Sequence, residues 1–217
     1  MELFGCNCVY KMETGERRKM DMKKLICLIL ALMMFAAYAE TKQDTLDFYR
    51  KTLGEPDAVE KLMDSGHSYL AGMIHEDGGA RVGYTCIDLD GDGKEELVIA
   101  ADGEDAYFKG MLLEVVTDDG QLLVSAERDR FYLRADGMIV NVYSSGAMES
   151  GVTVYRAENG KLVRVEALEY SYSGNPEAPW SLFDGREWKS VTDEEALSWL
   201  DNAESDFVNL ELTPISE

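Results

Sequence analysis

The sequence predicts an α+β fold: an antiparallel β-meander with N-terminal helices and one C-terminal helix. Three observations carry this. Apolar residues recur every third or fourth position through Ser65, and from Arg81 the period falls to two. Asp-Gly and Asn-Gly dipeptides then separate short apolar runs, as two-residue hairpin loops require. Near the C-terminus, Thr192 and Glu195 form a T-x-x-E capping box ahead of Leu197 and Leu200.

The first 39 residues read as an N-terminal extension and signal peptide. Lys23 and Lys24 precede thirteen apolar residues, Leu25 to Ala37, and Ala37-Tyr38-Ala39 supplies small residues at the cleavage positions. The run is too short for a ~30 Å hydrocarbon core, so no membrane span is expected after processing. Residues 1–21 lie upstream of this signal, which makes Met20 or Met22 the expected initiator.

Residues 40–80 are the helical N-terminal segment. Leu46, Tyr49 and Leu53 place a helix over 43–53, ended by Gly54 before Pro56. Asp57 to Ser65 is a second helix, closed by Gly66, and His67 to Ile74 adds a turn or two. Residues 81–217 are the meander with the C-terminal helix, forming one domain with 40–80. Its strand runs are Arg81 to Cys86, Leu97 to Ile99, Met111 to Val116, Leu122 to Val124, Phe131 to Leu133, Met138 to Val142, Val152 to Tyr155 and Leu162 to Tyr172. Their turns include Asp119-Gly120, Asp136-Gly137 and Asn159-Gly160.

Charge excludes some partners. The 217 residues hold 42 Asp+Glu against 21 Lys+Arg, a net charge of -21. Phosphate backbones repel such a chain, so no nucleic-acid partner is expected. With 46% hydrophobic residues the chain still builds a core. Cleavage after Ala39 removes six Lys/Arg from 21 and four Asp/Glu from 42, leaving 15 and 38, or -23 on 178 residues. It also leaves Cys86 as the sole cysteine, so no intrachain disulfide forms; Cys86 itself reads as a buried, inert thiol.

One loop carries chemistry. Residues 88–97 read DLDGDGKEEL. Calcium takes six to eight oxygens at ~2.3–2.6 Å, and a loop curling round the ion presents alternate residues to it. The expected metal ligands are the side chains of Asp88, Asp90, Asp92 and Glu96 and the main-chain carbonyl of Lys94. Gly91 and Gly93 give room and the sharp turn. An EF-hand would need an acid at position 12 and a following helix. Position 12 is Ile99, within a β-forming run, so the loop joins two strands. Transition metals would want His or Cys, and the loop has neither.

This loop resembles the FG-GAP/VCBS-type calcium loop of integrin-like and bacterial surface proteins, D-x-D-G-D-G-x-x-[DE]-L-V. Glu96 stands where Asp is commoner in that family. With about 45 residues to a blade, one loop in a chain this short argues against a β-propeller. The order of parts, helices, then Y-x-x-I-D-L-D-G-D-G-x-x-E-L, then hairpins with Ser144-Ser145-Gly146-Ala147, resembles an uncharacterised set of secreted or lipid-anchored proteins of Gram-positive gut bacteria. That resemblance implies a fold and bound Ca2+, and no activity.

Other candidates are weaker. His67 and His75 lack H-E-x-x-H spacing and read as surface residues. Ser144 and Ser145 have no G-x-S-x-G elbow. Tyr170, Tyr172, Trp180 and Trp188 suit either a sugar-stacking platform or packing of the sheet on the last helix, and the second is the default. No catalytic constellation is visible. The expectation is a secreted, calcium-binding, non-catalytic extracellular binding module, its partner an unknown extracellular protein or glycan. The alternative is a secreted hydrolase on glycan or peptide with calcium near its cleft.

Overall fold

A computed structural model describes residues 42–53, 55–67, 71–72, 81–102, 109–126, 129–146, 148–172 and 177–215. The signal segment 1–39, His75 and Ala147 lie outside these. The described residues belong to one compact unit, Tyr38–Glu217.

Helix α1 spans residues 42–53 and α2 Ala58–Asp64. Leu46, Tyr49 and Thr52 are buried along one face of α1, and Ala58 and Leu62 along one face of α2, the three-and-four spacing of a helix with one apolar stripe. Ala71, in a helical pair at 71–72, is buried with them.

The remainder is one antiparallel sheet. Its strands are β1 (Arg81–Ile87), β2 (Glu96–Asp102), β3 (Met111–Val116), β4 (Leu122–Ser125), β5 (Arg130–Leu133), β6 (Ile139–Gly146), β7 (Glu149–Glu158), β8 (Lys161–Ser171), β9 (Trp180–Phe183), β10 (Trp188–Ser190) and β11 (Thr213–Pro214). The order across the sheet is β10-β9-β8-β7-β6-β5-β3-β2-β1-β11. β4 and β5 share one edge of β3, β4 pairing Glu114–Val116 and β5 pairing Met111 and Leu112. They act as one broken strand. Helix α3 (Asp193–Ala203) follows β10, with the Thr192–Glu195 capping box formed in both directions.

This corrects the expected fold class. The molecule is largely β, an eleven-stranded antiparallel sheet with a few short helices, and not α+β. Three strands went unread, for different physical reasons. Residues of β9 are half-buried throughout and those of β10 exposed throughout, so neither shows the alternation that reveals a strand. β11 exists only through a distant partner: Gly83 pairs Pro214 and Tyr84 pairs Thr213. A Cβ on Gly83 would lie 2.6 Å from the Leu212 Cβ, so only glycine lets the returning chain come this close.

The core has two faces. On one, Val82, Leu97, Ile99, Ala101, Met111, Leu113 and Tyr132 pack against Leu46, Tyr49, Leu62 and Ala71 of the helical segment. On the other, Val98, Ala100, Leu112 and Val115 meet Leu123, Tyr155 and Leu162. The β7–β8 hairpin therefore folds over the β2–β3 face, and the sheet curls. Helix α3 and the residues after it close a third cluster, with Ala203, Trp199, Leu200 and Phe207 on Val140, Val152 and Val154.

Candidate metal centre

The acidic loop leaves β1 at Ile87 and re-enters β2 at Glu96, and these two residues pair directly. Asp88 to Glu95 thus form an excursion whose two ends are pinned by a strand ladder. The loop is built on its own carboxylates. Asp88 Oδ1 accepts from Gly91 N–H (2.8 Å) and Asp88 Oδ2 from Gly93 N–H (3.0 Å). Asp90 Oδ1 accepts from Asp92 N–H (3.2 Å), and Asp92 Oδ1 from Lys94 N–H (2.8 Å). Glu96 Oε2 accepts from Leu89 N–H (2.8 Å). These Asx-type turns require left-handed backbone at Gly91 (φ 76°) and Gly93 (φ 86°), which glycine adopts without a Cβ penalty.

The result is a convergence of oxygens. Ligand atoms of Asp88, Asp90 and Glu96 all lie within 4.8 Å of one another. Asp88 is exposed, Asp90 half-buried and Glu96 buried, at 4% exposure. Burial, first, pushes the Glu96 carboxyl above the ordinary glutamate range; the charges of Asp90, Asp92 and Asp88 add to this, and the Leu89 N–H opposes it. A buried carboxylate converging with two others, and repelled by Asp92 as well, is an electrostatic cost that a cation offsets. The donors are all carboxylate oxygen, which suits a hard divalent ion such as calcium. Each carboxylate keeps lone pairs beyond the backbone bond it accepts, so the donor set fits the ion.

Of the five expected ligands, the structure brings three carboxylates together. Asp92 stands outside that group, its Oδ2 3.8 Å from Lys94 Nζ. The Lys94 side chain turns away to Asp118 in the β3–β4 turn, at 2.6 Å. From the other side, Lys42 of α1 donates to the Glu95 carbonyl. The loop is thus braced by a cation from each flank.

Residues 84–125 match the FG-GAP repeat family. The FG-GAP segment runs from Tyr84 in β1, through the acidic loop, to Ser125 at the end of β4. It contains every one of the loop carboxylates and the Lys94–Asp118 brace. No curated protein and no solved structure matches the chain. Among the described residues, no helix is long and apolar enough to cross a membrane.

The remaining candidates change on inspection. Cys86 is exposed, not buried. Partial desolvation raises its thiol pKa, as does Glu95, while Lys42 lowers it; the net shift is upward, the direction of an unreactive thiol. His67 is half-buried and bridges Ser65 and Glu114, so it is not a surface histidine. Trp188 is not among the residues buried in the cluster that the last helix closes. It is exposed, 5.4 Å from Phe183, with the Arg164 guanidinium 5.8 Å from its ring. Tyr172 is exposed as well, whereas Tyr170 and Trp180 meet edge to face at 4.9 Å.

Glu114 was missed by sequence reasoning. The available signal was a lone carboxylate in MLLEVV, a run buried at every position. A charge in such a run needs a partner.

Proposed function

We propose that the chain is an exported, non-catalytic extracellular interaction module whose FG-GAP segment holds one structural calcium ion. The convergence of Asp88, Asp90 and Glu96 within 4.8 Å carries this reading. In it, Asp92 and the Lys94 carbonyl complete the shell when the ion binds, and residues 1–39 are removed on export. The ion would fix the β1–β2 junction and so stiffen the strand pair at the start of the sheet. The test is scanning calorimetry of the chain in millimolar calcium and in EDTA. A higher melting temperature in calcium is expected, and superimposable curves would overturn the reading.

A further inference from the structure

We infer that a cleft on the opposite half of the sheet from the acidic loop is a binding subsite for a single neutral pyranose unit. The inference rests on the reading of the chain as an extracellular interaction module and names the chemistry of its partner.

Strand register assembles the site. Ser144, Ser150, Tyr170 and Trp180 pair in turn across β6, β7, β8 and β9 and so stand in one row on one face. The next row on that face is Arg130, Val142, Val152, Leu168 and Leu182. Arg130, Ser144, Ser150, Val152, Leu168 and Trp180 line a cleft of about 230 Å³, with Leu200 of α3 as its wall. It therefore has an aliphatic floor, an indole at one end braced edge-to-face by Tyr170, two serine hydroxyls at the rim, and Arg130 as a further hydrogen-bond donor for a sugar hydroxyl.

Size and chemistry select the occupant. Drug-sized sites run from roughly 300 to 1,000 Å³, so this cleft takes one ring rather than an extended ligand. A pyranose has apolar C–H faces and a polar equator, matching an indole and aliphatic floor edged by hydroxyls that both donate and accept. A purely apolar ligand would strip water from Ser144 and Ser150 without replacing it. An extended peptide would want an open strand edge, and Ser150 and Val152 of β7 and Leu168 of β8, which form the middle of the cleft, are paired on both sides. A net charge of -21 disfavours polyanions.

The test is isothermal titration calorimetry of the full chain with the methyl pyranosides of glucose, galactose, mannose and N-acetylglucosamine. The variants are Trp180→Ala, which removes the indole, and Ser144→Trp, which fills the cleft from an exposed position and leaves the core intact if the first variant fails to fold. Binding of at least one pyranoside, weakened about tenfold or more in each folded variant, is the expected result. No heat with any of the four sugars, or undiminished binding in either folded variant, overturns the subsite. Melting the same samples with calcium and with EDTA separates the readings, because loss of the calcium effect bears on the acidic loop and leaves the sugar result to stand or fall alone.

Discussion

His67 Nε2 lies 2.5 Å from Glu114 Oε1, joining the chain just after α2 to the middle of a strand buried at every position. The other ring nitrogen meets Ser65 Oγ at 2.9 Å. Phe48 and Tyr49 of α1 flank the imidazole at 5.4 and 5.5 Å. One polar contact thus fastens the helical segment to the sheet from within an apolar layer. Removing either partner leaves the other, part-buried, short of a hydrogen bond. Glu114→Leu or His67→Leu alone should cost about 1–3 kcal/mol, and the double variant markedly less than the sum. Urea unfolding of the three variants checks this. Additive losses would show that the two residues do not act as a pair.

The acidic loop yields a second prediction. With the millimolar to tenth-millimolar affinity of extracellular calcium modules, 10 mM calcium should stabilise the fold by about 1–3 kcal/mol, or roughly 3–10 °C. Asp90→Asn removes a converging charge and should shrink that shift strongly. Asp92→Asn, outside the three-carboxylate group, should shrink it less. Thermal shift assays across a calcium series give both numbers. Equal losses would mean that Asp92, once it joins the shell, holds the ion as strongly as the three acids that already converge.

The loop was legible because its chemistry is local: alternating acids and interleaved glycines fall within nine residues. The hairpins at Asp119-Gly120, Asp136-Gly137 and Asn159-Gly160 were legible for the same reason, since positive φ leaves a dipeptide signature. The contacts that decide the class were not local. β11 is two residues long and is defined by Gly83 and Tyr84, far back in the chain. β9 and β10 lack alternation. The His67 partner of Glu114 comes from a separate element and the Tyr170 partner of Trp180 from strand register, and no spacing in the sequence encodes either.

Tyr143 and Gly151 pair across β6 and β7, and a Cβ on Gly151 would lie 2.6 Å from the Tyr143 hydroxyl and 2.7 Å from the Leu168 carbonyl oxygen. The carbonyl is backbone, so Gly151→Ala should force the strands apart and cost about 1–3 kcal/mol. The same crowding desolvates the phenol, which, with the charge of Glu169 nearby, is pushed up to about 12. The folded state holds that proton where the unfolded chain releases it. Its contribution is therefore complete below the ordinary tyrosine value near 10 and is lost as pH rises from there toward 12. Tyrosinate absorbance should show a late-titrating component that Tyr143→Phe abolishes. If the variant keeps it, the component belongs to another tyrosine.

The capping box of α3 gives the acid-side counterpart. Thr192 N–H donates to Glu195 Oε2 at 2.9 Å, and Glu195 N–H donates to Thr192 Oγ1 at 3.2 Å. The Thr192 backbone bond, then its hydroxyl bond, hold the Glu195 carboxyl below the ordinary glutamate range. With the folded value depressed, the contribution is present above the unfolded value and disappears as pH falls through the folded one. Thr192→Ala removes the side-chain cap and should cost about 1 kcal/mol at neutral pH. Glu195→Gln keeps the reach of the side chain and removes only its charge. Its stability deficit relative to the wild type should therefore be present at neutral pH and close on acidification. Melting temperatures of the two proteins measured from pH 7 down to pH 3 decide the matter, and a deficit that stays constant over that range would assign it to lost packing, not to the charged cap.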